Sequence, residues 1–224
     1  MTTVLLLLHV LVFVYWLGGD LGAFYASGFV TDPGRAPGER SLALSILNGV
    51  DTAPTVALVL ALPTGLVLAV ARGWLPLSPR FVATVVFGAL VWAVLAVTIH
   101  RGGHPQARRL ARVDLALRIA FIGALTIVGI GGVARLAGIA TPWSWVPLFI
   151  SIKCLLLASA TALGLGIRRA LRPFIPAFHA VVTTGSTAEL EARVAASMAH
   201  CRRLVLALWA CLLGAAYVGL AVPV

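Results

Sequence analysis

Three ionisable side chains lie inside stretches of the sequence that are otherwise apolar: His9, Asp20 and Lys153. An ionisable residue inside a membrane span costs roughly 2.5 to 3.5 kcal/mol on insertion scales, so it needs a partner, a cavity or a cofactor. A neutral imidazole is a common iron ligand, a carboxylate can carry protons, and an ammonium group can hold an anion. These residue types therefore point to iron, proton or anion chemistry in an apolar environment.

The first helix carries its polar residues on one side. At about 100° per residue, His9, Phe13, Trp16 and Asp20 fall on a single stripe, which should face the interior of a helix bundle. Two interpretations of His9 stay open: a hydrogen bond to a neighbouring helix, or a ligand of iron.

Lys153 is the only lysine in the chain and lies in the middle of the fifth apolar stretch. The first and fifth spans run in the same direction, and at about 1.5 Å per residue His9 and Lys153 should lie at similar depths, within about 10 Å. The two could converge on one ligand, and the small residues Ala160 and Gly164 on the lysine face would admit a close helix or a flat macrocycle. The alternative is a buried ion pair of Lys153 with a carboxylate such as Asp20.

The composition dictates the elements that must position these residues. Hydrophobic residues make up 61% of the 224 positions and charged residues 11%, more apolar surface than a soluble core of this size buries. A bilayer core of about 30 Å takes roughly 20 apolar residues per helix. The sequence thus predicts an all-α, polytopic membrane bundle, one integral membrane domain over residues 1–224. Its six expected transmembrane helices are at about 3–30, 50–71, 81–99, 115–139, 143–167 and 204–222.

The details of the helix ends are also predicted. The first helix is expected to remain as a permanent span, because it lacks the basic start and cleavage site of a signal peptide. Pro147 should lie in the first turns of the fifth span. The run Ser186-Thr187-Ala188-Glu189 resembles a capping box and should start a helix that continues into the sixth span.

Basic residues favour one orientation. The formal net charge is +10, but the arginines cluster in alternate loops, which indicates membrane topology and not nucleic-acid binding. The loops after the second and fourth spans are poor in arginine. With the arginine-rich loops inside, both termini are extracytoplasmic, and the chain is expected in a bacterial inner (plasma) membrane as a multi-pass protein. The loops after the first, third and fifth spans hold Arg35, Arg40, Arg101, Arg108, Arg109, Arg112, Arg168, Arg169, Arg172, Arg193, Arg202 and Arg203.

Other polar residues have simpler expected roles. Arg118 and Arg135 lie near opposite ends of the fourth span and are expected to extend their side chains to the membrane surface. Asp51 is expected to act as an acid at a helix N-terminus. His100 and His104 are spaced as a possible metal pair, although the glycines between them favour a broken helix.

Two segments resemble a known membrane superfamily. The opening LLLLHVLVFVYWLGG, with His9 and Trp16, is similar to the first helix of the HemJ-type protoporphyrinogen oxidases, the copper-resistance D proteins and the membrane domain of bacterial urate oxidases. The segment FISIKCLLLASATALGLGIRR resembles their lysine helix, with Lys153 and Arg168 or Arg169 at matching positions. The resemblance implies that His9 ligates haem b and that Lys153 is a second essential residue near the porphyrin.

Two functions follow as hypotheses. In the first, the chain is a haem-b redox protein that passes electrons between a substrate or partner protein and quinone. His9 is then the metal ligand, and Phe13 and Trp16 line the porphyrin slot. Lys153 either holds a propionate or occupies the side of the porphyrin opposite His9. Asp20, together with Asp51, serves a proton path, so Lys153 and Asp20 are the candidate catalytic residues. In the second, the chain is a cofactor-free scaffold, an accessory subunit or a small-solute (copper-type) transporter; enzymatic activity and oligomeric state stay open.

Overall fold

Long apolar runs form long helices in the computed structural model, which describes residues 2–102 and 105–221. The described residues are all-helical, with no strand among them. The helices are α1 (Thr2–Val30), α2 (Pro37–Val50), α3 (Thr52–Ala71), α4 (Pro79–Arg101), α5 (Ala107–Ala134), α6 (Leu148–Ala170), α7 (Phe174–Thr184) and α8 (Ala188–Leu220).

Six segments of the described chain are long and apolar enough to cross a membrane, as the sequence predicted. Four are single helices: α1, α4, α5 (with a short 3-10 turn after it) and α8. The other two are the pairs α2–α3 and α6–α7, over residues 37–71 and 148–184. The chain is therefore a multi-pass membrane protein built as a helical bundle.

Helix α8 begins where the sequence predicted it. It starts at Ala188 after Thr187, whose hydroxyl accepts a hydrogen bond from the backbone N–H of Leu190 at 3.3 Å. It then continues without a break to Leu220, and the predicted end at Val222 lies outside the described residues. A side-chain cap satisfies one of the free N–H groups of the first turn, which fixes this start.

The fifth span begins later than predicted. Residues from Trp143 to Val146 form turns, and Pro147 immediately precedes α6 instead of lying in its first turns. The Thr141 hydroxyl explains the turns: it donates to the carbonyl of Gly131 at 2.8 Å and accepts from the Trp143 N–H at 3.2 Å. These bonds tie the loop back onto the end of α5.

Two shorter helices, α2 and α7, were not predicted. Each has one buried side: Arg40 and Ala43 in α2, and Phe174, Phe178 and Val181 in α7. The spacing in α7 places its large residues over α8, where Val194 and Met198 complete a second apolar cluster. These helices cover one end of the bundle.

A buried arginine joins α2 to the rest of the molecule. Arg40 is only 2% exposed; its Nε donates to the carbonyl of Val30 at 2.9 Å, and its two terminal nitrogens donate to Glu191 at 2.7 and 3.0 Å. This bidentate pair links the end of α1, α2 and the start of α8.

Helix packing sets the interior that holds the polar residues. The closest neighbours are α6 with α8 and α5, and α1 with α3 and α2. The central apolar cluster includes Trp16, Leu58, Trp92 and Leu208, with Phe13 packed against it. Trp16 is only 3% exposed and lies between His9 and Asp20 along α1.

Candidate functional site

His9 is held by α3. Its Nδ1 lies 2.9 Å from the Thr64 hydroxyl, which itself donates to the carbonyl of Leu60 at 2.7 Å. The hydroxyl has one proton, so it accepts from His9, and Nε2 is then the nitrogen with the free lone pair. Among the described residues Nε2 has no hydrogen-bond partner. A histidine fixed through one nitrogen and open at the other has the form of a metal ligand.

Gly65 allows the imidazole to pack closely on α3. A Cβ at this position would lie 3.0 Å from Cε1 of His9, tighter than ordinary van der Waals contact. The hydrogen bond and the close packing together fix the orientation of the ring. Of the two interpretations of His9, the helix-to-helix hydrogen bond is therefore formed, and it leaves the other nitrogen available.

Lys153 lies on α6 beside Gly219 of α8. The predicted separation of His9 and Lys153, within about 10 Å, stays a prediction. Within the described ranges 2–102 and 105–221 Lys153 forms no ion pair, so of its two interpretations the ion pair with a carboxylate such as Asp20 is not formed. Asp20 is eleven residues beyond His9 in the sequence, about 16 Å further along the same helix.

Asp20 borders a large cavity on the other side of Trp16. The cavity has a volume of about 590 Å³ and lies between α1, the α2–α3 junction, α5, α6, α7 and α8. Most of its walls are apolar, with aromatic rings from Trp16, Phe24, Phe174 and Phe178. Its carboxylates and arginines are Asp20, Asp51, Arg118, Arg168 and Arg202, and further polar side chains of the lining are Ser27, Ser41, Asn48, Thr55 and His179.

Asp51 occupies the break between α2 and α3. It precedes the first residue of α3, as predicted for a helix N-terminal acid, but its side chain makes no capping hydrogen bond. Asp51 instead lines the cavity, together with Asp20, Arg118 and Arg168. The two carboxylates proposed for a proton path therefore share one cavity.

A cluster of buried charges around Asp114 adjoins the cavity through Arg118 and Arg168. Asp114 is 1% exposed and accepts from Trp92 Nε1 at 2.9 Å, Arg118 Nε at 2.8 Å and Arg168 Nη1 at 2.8 Å. The prediction that Arg118 extends to the membrane surface is wrong, because it is 2% exposed. Asp114 lies one helical turn earlier on the same face and pairs with it. Arg135 is exposed, as predicted.

Three buried polar atoms near the cavity have no hydrogen-bond partner among the described residues: Arg118 Nη2, Asp20 Oδ2 and Trp209 Nε1. Trp209 lies close to Asp20, but without a geometry that satisfies either group. A buried polar group without a partner typically costs about 1 to 3 kcal/mol. Such groups are uncommon in native interiors, and a water molecule, an ion or a ligand can satisfy them.

The predicted site residues thus divide into two groups. Trp16 and Asp20 line the cavity, whereas His9, Phe13 and Lys153 do not. Sequence reasoning missed Asp114 and the burial of Arg118; the four-residue spacing of these opposite charges was the available signal. In the proposed histidine metal pair, His100 Nε2 contacts the carbonyl of Asn48 at 2.6 Å, and His104 lies outside the described residues.

The fold places the chain among the multi-pass helical membrane proteins, with an internal cavity and an oriented histidine. Comparison of the chain with protein-family models, curated proteins and solved structures finds no match. The resemblance of α1 and α6 to the haem-linked membrane superfamily therefore stays a prediction.

Proposed function

We propose that the chain is a haem-b-binding redox protein of a bacterial inner membrane that passes electrons between a substrate or partner protein and quinone. The observation that supports this most is the state of His9. Thr64 orients the imidazole through Nδ1, and Nε2 is free to bind iron. Haem ligation by a single histidine needs such an orienting partner.

The residue types near His9 in the sequence pattern support the proposal by charge as well as by ligation. Lys153 supplies a nearby cation for a propionate, and Phe13 and Trp16 supply aromatic surface on the same side of α1. When bound, haem would supply one-electron transfer; the chain's own residues orient the ligand and balance the charge. The large cavity borders Trp16 but not His9, so it is a separate space.

Asp20 and Asp51 are proposed as the proton-handling groups. Both line the cavity at the arginine-rich end of the bundle, where an aqueous proton source would be the cytoplasm in the predicted orientation. Among the described residues, Oδ2 of Asp20 has no hydrogen-bond partner of good geometry, which leaves that oxygen available to a proton.

A reduced-minus-oxidised optical spectrum of the purified protein tests the proposal. We expect a b-type haem band that is lost in His9→Ala and reduced in Lys153→Ala. The matched control is His200→Ala, because His200 is an exposed histidine of α8. No band after expression with added haem precursor, or a band that persists in His9→Ala, would contradict the proposal.

A cofactor-free path for a small solute is the second candidate. It is favoured by the two carboxylates that line one cavity, Asp20 and Asp51, because ionisable residues within membrane spans commonly mark the path of a solute or ion. In this case Asp20→Asn and Asp51→Asn would abolish uptake of a cation such as Cu⁺ into proteoliposomes. His9→Ala would leave that uptake intact, and the protein would show no visible absorbance.

A further inference from the structure

The cavity beyond Trp16 combines apolar walls with hydrogen-bonding atoms that lack partners. Its volume of about 590 Å³ is within the range of small-molecule sites, roughly 300 to 1,000 Å³. Arg118 is the decisive residue: it lines the cavity, is 2% exposed, and its Nη2 has no acceptor among the described residues. Its other interaction, through Nε with Asp114, fixes the guanidinium in place.

The donor and the acceptor come from different helices. Arg118 Nη2, on α5, can only donate, and the unpartnered Asp20 Oδ2, on α1, can only accept while the carboxylate is ionised. Both side chains line the same cavity. A ligand that satisfies both needs one oxygen that accepts and a second group that can carry a proton.

The charges of the cavity favour a neutral ligand. At formal charges, the three lining arginines, Arg118, Arg168 and Arg202, are matched by two lining carboxylates, Asp20 and Asp51, and by Asp114, which lies outside the lining and pairs with Arg118 and Arg168. Adding a charged molecule to a balanced, largely buried site would leave one charge without compensation, which is costly at low dielectric. An anionic lipid, fatty acid or porphyrin carboxylate is therefore disfavoured.

The walls favour a flat ring with an apolar tail. Trp16, Phe24, Phe174 and Phe178 contribute aromatic surface. Ile175 and Val182 of α7 also line the cavity and are 66% and 36% exposed, so the apolar lining reaches the outer surface of the bundle. A lipid-soluble tail can extend along this surface.

We propose that this cavity binds the ring of a quinone or quinol. One ring oxygen accepts from Arg118 Nη2, and the other lies toward Asp20, which accepts a hydrogen bond from the hydroxyl of the reduced ring. Ile175 and Val182 line the route of the tail. The inference extends the proposed function by placing its electron partner, but binding of the ring does not depend on haem.

Gly164 allows a direct test, because it lines the cavity and a Cβ there would meet nothing within 4 Å. Gly164→Phe should fill the cavity without disturbing the helix. Gly88→Phe is the matched control: Gly88 lies on the exposed face of α4, and a Cβ there also has open space. Equilibrium binding of decylubiquinone is measured on the full chain in lipid nanodiscs, with empty nanodiscs subtracted.

We expect Gly164→Phe to weaken decylubiquinone binding at least tenfold, and Gly88→Phe to leave it unchanged. Arg118→Lys, which removes Nη2 and keeps the charge, should also weaken it, with a thermal melt to show that the variant is folded. Equal affinities of Gly164→Phe and Gly88→Phe would overturn the proposal. Tighter binding of dodecanoate than of decylubiquinone would overturn the argument from charge.

The outcomes separate this inference from the haem proposal. Binding that depends on Gly164 in a protein without a haem band rejects the haem proposal and supports the quinone site. A haem band that depends on His9, in a protein whose decylubiquinone binding does not depend on Gly164, supports the haem proposal and rejects the quinone site.

Discussion

Asp114 shows how a single carboxylate can hold several helices together. It lies on α5, and its three donors come from α4, α5 and α6. A buried carboxylate with good hydrogen bonds is stable only while its cationic partners are present, and they depend equally on it. The residue therefore serves both the fold and the orientation of Arg118 in the cavity.

Asp114→Asn should destabilise the protein by about 3 to 5 kcal/mol, the usual cost of breaking a buried ion pair. The change keeps the shape of the side chain but leaves Arg118 with no buried counter-charge from Asp114. Detergent-solubilised protein should lose its monodisperse chromatographic peak at a clearly lower temperature.

The control for this measurement is Glu189→Gln. Glu189 also pairs with an arginine four residues away, Arg193, but their side chains are 77% and 65% exposed. Exposed pairs of this kind contribute little. If Asp114→Asn and Glu189→Gln melt at the same temperature, Asp114 does not have the structural role described here.

The sequence predicted some of these residues and missed others for a physical reason. The common stripe of His9, Trp16 and Asp20 follows from helix periodicity, and the structure places Trp16 and Asp20 on the cavity. Asp114 was missed because it lies within an arginine-rich run that was assigned to a loop. Its partners Trp92 and Arg168 are 22 and 54 residues away, and one sequence does not reveal such pairing.

At the scale of helices, glycines of α5 set the approach of α6. A Cβ at Gly129 would lie 2.6 Å from Cγ of Leu155 and 2.9 Å from the backbone oxygen of Ser151. A Cβ at Gly132 would meet the Ser151 side chain in the same way. Small residues let membrane helices pack closely where lipid gives no hydrophobic driving force. The sequence had suggested Ala160 and Gly164 of α6 for close approach.

Gly129→Ala should weaken the α5–α6 contact, because a backbone oxygen cannot move aside as a flexible side chain can. We expect a loss of about 1 to 3 kcal/mol, typical of overpacking. Gly123→Ala in the same helix is the matched control, since a Cβ there meets nothing within 4 Å. That change should be neutral or slightly stabilising. Equal thermal stability of the two variants would show that α5 and α6 are not this close.

The prediction of the helices succeeded where apolar length alone decides. All six spans were found, because about 20 apolar residues in a row have no other stable location. Helices α2 and α7 were missed because they have 14 and 11 residues, and prolines and arginines at their ends resemble loops. Their stability comes from contacts that the sequence does not display, such as Arg40 with Glu191.

At the scale of the molecule, arginine is concentrated at one end of the bundle. The ends of α1, α4 and α6 and the starts of α2, α5 and α8 meet there, close to the cavity. The loops at the opposite end hold only Arg72 and Arg80 in the sequence, and Arg135 lies in the last turn of the fourth span. Basic residues near short loops set the orientation of membrane proteins, so the arginine-rich end should be cytoplasmic.

Reporter fusions in a bacterial host test this orientation. Alkaline phosphatase fused after Val224 should be active and a fluorescent protein at the same site dark, because both termini of a six-span bundle lie on the side opposite the arginines. Fusion after Arg172, behind α6, should give the reverse pair of signals. The combined pattern also checks the number of spans, since one span more or fewer would place the C-terminus on the arginine-rich side. A fluorescent C-terminal fusion together with an active phosphatase after Arg172 would contradict the orientation, and Asp20 and Asp51 would then face the external medium instead of the cytoplasm.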